Sequence, residues 1–147
     1  MTQTDSPFQT DLPLAARLLG LSGILPQLAC IAAALMFEPA LAAQAGLYYA
    51  ALILSFLGGL WWMAALLAGL RQTSVYVIAV LPSLIGWLAL LIPSGGLLVV
   101  ALCLLSSPLI DRALARQIAL PPGWVALRWQ MASGLGLSTL LLAGLAA

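Results

Sequence analysis

Few side chains in this 147-residue chain can do chemistry, and they do not cluster. It has no histidine, no lysine and no asparagine; the ionisable inventory is five arginines, four acids, two cysteines and three tyrosines. General acid–base catalysis draws on imidazole, a tuned acid or an amine, and metal centres need histidine, cysteine or carboxylate at ligand spacing. Asp5 and Asp11 lie near the N-terminus, Glu38 stands before Pro39, and Asp111 is isolated among leucines and arginines. Cys30 and Cys103 sit singly in apolar stretches, where a thiol behaves as a small hydrophobic group. The expectation is a chain that is not an enzyme, with no catalytic residue, no metal and no cofactor.

The elements that carry these residues are apolar. Hydrophobic residues make up 64% of the chain and charged ones 6%, against about half and about a quarter in soluble domains. Apolar stretches run over about 18–37, 47–70, 75–92, 97–112 and 128–147, against the roughly 20 residues that cross a hydrocarbon core; the third is adequate, and the fourth is short but can continue as helix through Asp111–Arg116. Glu38-Pro39, Arg71–Ser74, Pro93-Ser94-Gly95-Gly96 and Pro121-Pro122-Gly123 break them. Residues 1–10 read as a polar tail, and Asp11 with Pro13 as a helix start. The predicted fold is an all-α membrane protein, a single domain over 1–147. It is a bundle of five transmembrane helices with short loops, helices 1 and 3 kinked at Pro26 and Pro82.

Charge sets the expected orientation. Arg17 precedes span one, Arg71 lies between spans two and three, and Arg112, Arg116 and Arg128 lie between four and five. With five crossings these regions share one face, while the other receives Glu38 alone. Basic residues in short loops mark the cytoplasmic side. That implies a bacterial inner (plasma) membrane protein with a cytoplasmic N-terminus and a periplasmic C-terminus. Ala40-Leu41-Ala42 and Ala43-Gln44-Ala45 resemble signal cleavage sites, but the preceding apolar stretch is too long for a signal core and its flank is acidic. Tyr76, Trp124 and Trp129 would form an inner aromatic belt, and Phe37, Tyr48 and Tyr49 an outer one. A net charge of +1 without a basic run argues against nucleic acid as a partner. The lipid bilayer is the expected partner, with another membrane protein or copies of the chain itself.

Counted inward from the outer helix ends, Gln27, Ser55, Ser83, Ser106 and Ser138 fall at a common depth near mid-membrane. They read either as interhelical hydrogen bonds or as a mid-membrane binding layer beside Trp62 and Trp87. Leu25-Pro26-Gln27-Leu28 and Leu81-Pro82-Ser83-Leu84 match in pattern, and carbonyls freed by the two prolines could line a cavity or be satisfied by neighbours. Gly58-Gly59 before Trp61-Trp62 suggests close backbone contact, as do Ala65/Gly69, Ala132/Gly136 and Gly134/Ser138. Asp111 is expected in an inner-interface ion pair, with Arg112, Arg71 or Arg128 as its partner.

Several strings resemble one family: Gly20–Pro26, Tyr49–Gly59 with Trp62, Leu81–Trp87, Asp111, and Pro122, Trp124, Leu127 and Arg128. It is the small bacterial and mitochondrial membrane-protein family of unknown function typified by transmembrane protein 69. The resemblance implies a multi-pass inner-membrane protein and no assigned reaction. Trp61 stands where a histidine often precedes the family tryptophan, which removes any mechanism resting on that imidazole. Two functional readings follow. One is a structural or assembly component, packing with itself or a membrane complex through glycine and alanine faces. The other is a channel or carrier for a neutral or amphipathic small molecule, built on the kinked helices; proton coupling is disfavoured because relays need ionisable residues within the membrane.

Overall fold

The computed structural model describes residues 12–92 and 95–146. The N-terminal tail, the Asp11 cap and the Pro93-Ser94 part of the third turn lie outside them. The described residues form six helices and no strand: α1 (Leu14–Ser22), α2 (Leu25–Met36), α3 (Pro39–Leu67), α4 (Thr73–Leu90), α5 (Gly96–Leu114) and α6 (Trp124–Leu145). Helices α1 and α2 run on as one 23-residue apolar segment, and this segment, α3, α4 and α5 are each long and apolar enough to cross a membrane. The chain is a helical membrane protein. Helix α6 has the length, at 22 residues, but not the apolar composition. Arg128, Gln130, Ser133, Ser138 and Thr139 dilute its leucines, and the most polar of these are in its first half.

Helix α6 starts at Trp124, four residues before the expected 128, and two larger differences from the sequence expectation lie earlier in the chain. Helix α3 begins at Pro39, eight residues before the expected 47, because Glu38 and Pro39 supply an N-cap position and a first-turn proline and the following alanines are the strongest helix formers. The cleavage-like alanine tripeptides are therefore helical, with Ala42 buried. The second difference is the first span, which is interrupted at Gly23-Ile24, before Pro26 rather than at it. Pro26 occupies the second position of α2, where its missing N–H costs nothing. Pro82, by contrast, lies inside an α4 that stays helical throughout.

Helix α3 is the axle of the bundle and packs on α2, α4, α5 and α6; α5 packs along α6, and α1 rests on α6. Close approach is built from glycine. A Cβ at Gly58 would collide with the Ala79 carbonyl of α4, and one at Gly96 with the Ala89 carbonyl, so the α3–α4 and α4–α5 seams run backbone to backbone. Leu54, Leu57, Val100, Leu104 and Leu135 fill the centre. All five arginines gather at one end. Leu12 reaches Gly123 at the start of α6, and Leu70, Leu114 and Ile118 share one cluster, which draws the chain start, the α3–α4 turn and the α5–α6 connection together.

Candidate functional site

At the arginine end, three helices are joined through one carboxylate. Asp111 sits one turn before the end of α5, Arg128 one turn into α6, and Trp61 two turns before the end of α3. Counted from that end the three lie about 5–9 Å deep at 1.5 Å per residue, so they meet at one level. The Trp61 indole N–H donates to Asp111 Oδ1 at 2.8 Å and Arg128 Nε donates to Oδ2 at 2.8 Å. All three residues are buried, at 2–3% exposure. Arg128 Nη2 is also buried and has no hydrogen-bond partner among the described residues. Of the arginines expected as partners, Arg128 is the one engaged; Arg71 and Arg112 are exposed and outside this tie.

A carboxylate held by a guanidinium and an indole can anchor helices. With both oxygens engaged and the group sealed from solvent, it presents no free base. Removing one partner from such a pair leaves a buried charge and costs about 3–5 kcal/mol. The part of Trp61 in this tie escaped the sequence reading, which placed it only beside the close contact at Gly58-Gly59. Counting depth from the arginine end, rather than the other one, aligns it with Asp111.

The expected mid-depth layer does not form one network. Ser55 and Ser83 bond to each other at 2.9 Å across the α3–α4 seam. Ser106 and Ser138 instead donate to carbonyls of their own helices, at Cys103 and Leu135. Gln27 is fully buried against Gly46, and neither amide atom has a partner among the described residues. Gly46 and Ser55 are nine residues apart on α3, which is half a turn round and about 13 Å along its axis. Gln27 and Ser83 therefore lie on opposite sides of α3, and Pro26 and Pro82 with them. Trp62 packs edge-on against Tyr76 at 5.1 Å between ring centres, and Trp87 is exposed.

Two freed carbonyls, those of Gly23 and Leu104, are satisfied locally. At the α1–α2 break the Gln27 N–H turns to Ile24, and the Tyr49 hydroxyl donates to the Gly23 carbonyl that it leaves. Tyr49 is thus drawn inward from the expected aromatic belt. Pro108, inside α5, deprives the Leu104 carbonyl of its N–H, and the neighbouring Ser107 hydroxyl takes it at 2.8 Å. The Ser107-Pro108 pair was the sequence signal for this.

The end away from the arginines is open. A cavity of about 1020 Å³ lies between the start of α3, the end of α4, the start of α5 and the end of α6, with Glu38, Gln44 and Tyr48 among its lining residues. A shallower groove of about 390 Å³ runs from it along α3 and α4, sharing Tyr48 and Leu90 and passing Ser55, Ser83 and Trp87. Among the described residues no group of histidine, cysteine or carboxylate side chains could hold a metal ion.

A family model described as "Protein of unknown function (DUF3429)" matches residues 12–144, nearly the whole of the chain. The chain belongs to that family. The match reaches into every helix and stops one residue short of the end of α6, so the buried tie and the serine pair fall within the family's extent. No curated protein and no solved structure matches the chain.

Proposed function

We propose that this chain is a structural or assembly component of a bacterial inner membrane, without a catalytic role, packing with itself or a membrane complex through the outward face of α3. The observation that carries this reading is Gly59. It sits mid-helix in α3, between exposed Phe56 and Met63, and a Cβ there would meet nothing within 4 Å. A mid-helix glycine costs about 1 kcal/mol relative to alanine. At Gly46, Gly58, Gly96, Gly134 and Gly136 the missing side chain makes room for a neighbouring helix of the same chain. Among the described residues Gly59 makes room for nothing, as expected of a notch that receives a helix from outside.

Two further observations support the reading. The buried tie, the serine pair and the tyrosine bond all hold helices to one another. The carrier reading, for its part, needs Pro26, Gln27, Pro82 and Ser83 around one space, and α3 stands between them. We take α6 as a fifth crossing, since 22 residues reach about 33 Å and its polar residues Arg128, Ser138 and Thr139 are buried in the bundle. Pro82 then bends α4 within the membrane. The arginines at one end support a cytoplasmic N-terminus and a periplasmic C-terminus. The strings quoted above support kinship with transmembrane protein 69.

Purification in mild detergent tests the association. Wild-type protein should come away as a dimer or with a reproducible membrane partner, and Gly59→Leu should release a folded monomer. A wild-type protein recovered only as monomer would refute the proposal.

A further inference from the structure

We infer that the open end of the bundle is a binding site for one phospholipid bearing an ammonium headgroup, with its head at Glu38 and an acyl chain in the groove between α3 and α4. This inference rests on the cavity and groove alone and is independent of the Gly59 contact. The cavity has the size of a small-molecule site, at about 1020 Å³. Its walls are apolar, with Leu47, Leu97 and Leu140 among them, and its polar groups are Glu38, Gln44 and the Tyr48 hydroxyl. Amphipathic molecules need that division.

Charge selects the head. Glu38 is the acid of this end, and all five arginines lie at the other. Its side chain does not cap α3, and the ion pair found among the described residues belongs to Asp111. An ammonium group is the complementary ligand, with Gln44 and Tyr48, bonded to each other at 2.9 Å, beside it for phosphate or glycerol oxygens.

Shape selects the tail. The groove opens from the cavity at Tyr48 and Leu90 and descends past Ala51 and Gly86 to the Ser55–Ser83 pair. From Tyr48, where the groove opens, to Ser55 is seven residues of α3, about 11 Å, within the roughly 15 Å of hydrocarbon in one leaflet. One serine hydroxyl donates to the other, which lowers the polarity of the groove floor that a chain would meet.

The test is native mass spectrometry of the full chain released from nanodiscs of equimolar phosphatidylethanolamine and phosphatidylglycerol. Wild-type protein should retain one phosphatidylethanolamine over phosphatidylglycerol by about fivefold, the scale of one charge contact at a membrane surface. Glu38→Gln should bring the ratio near one while an adduct persists. Gly144→Leu should abolish the adduct, because Gly144 lines the cavity and a side chain there meets no neighbour within 4 Å; circular dichroism confirms that this variant is folded. Equal retention of the two lipids by wild type, absence of any adduct, or an undiminished adduct in folded Gly144→Leu would each overturn the site.

Discussion

Asp111 decides how the arginine end of the bundle holds. Its two oxygens engage different helices, so each partner can be removed separately. Asp111→Ala leaves the Arg128 guanidinium buried without a counter-charge and should lower unfolding stability by about 3–5 kcal/mol. Trp61→Phe removes one hydrogen bond to a charged acceptor and should cost about 1.5–3 kcal/mol. Denaturant unfolding in micelles measures both. Asp111→Leu combined with Arg128→Met should cost less than Asp111→Ala alone, since it leaves no orphaned charge; a double variant at least as unstable as the single one would show that the tie does more than balance charge. Much of this was legible in the sequence, because an acid beside the last apolar residues of a span needs a cation within reach. Which arginine it takes was not legible, since Arg71, Arg112 and Arg128 all satisfy the topology. Packing of α5 on α6 selects Arg128.

Helix seams are where glycines with identical neighbours differ. Gly58 and Gly59 are adjacent and would be read alike from sequence. Their side chains project about 100° apart, which puts one against the Ala79 carbonyl and the other outside the bundle. Gly58→Ala should therefore force α3 and α4 apart, at about 1–3 kcal/mol. Gly59→Ala should leave the fold intact or stabilise it by up to about 1 kcal/mol. Thermal unfolding of the two variants, followed by circular dichroism, should show opposite signs; two equal losses would mean that Gly59 is also covered within the chain. Ser83→Ala removes the α3–α4 hydroxyl bond and should cost about 0.6–2 kcal/mol in the same assay. The order and number of helical segments follow from apolar length and from Pro and Gly breaks. The mid-depth layer failed because depth carries no angular information. The Ser106 and Ser138 hydroxyls turn to carbonyls of their own helices, while Ser55 and Ser83 meet because α3 and α4 touch there.

For the whole molecule, charge asymmetry and surface remain after the interior has been accounted for. Five arginines at one end and Glu38 at the other predict that a reporter active only outside the cytoplasm is active at the C-terminus and silent in the α3–α4 turn beside Arg71; the reverse pattern would invert the topology. The interior is closed by bonds between helices, and α3 separates the two proline segments, so a pathway through the centre has no walls. Besides the open end, the outward face of α3 is then left to act on something else. Residue types alone could not show this, since glycine marks internal and external contacts equally. The most direct measurement is energy transfer between donor- and acceptor-labelled copies in bilayers, together with affinity capture of partners from the same membranes, for wild type and Gly59→Leu. The account predicts a self-association or a partner that wild type keeps and the folded variant loses. Wild-type chains that stay solitary in both assays, or an association that Gly59→Leu leaves untouched, would contradict it.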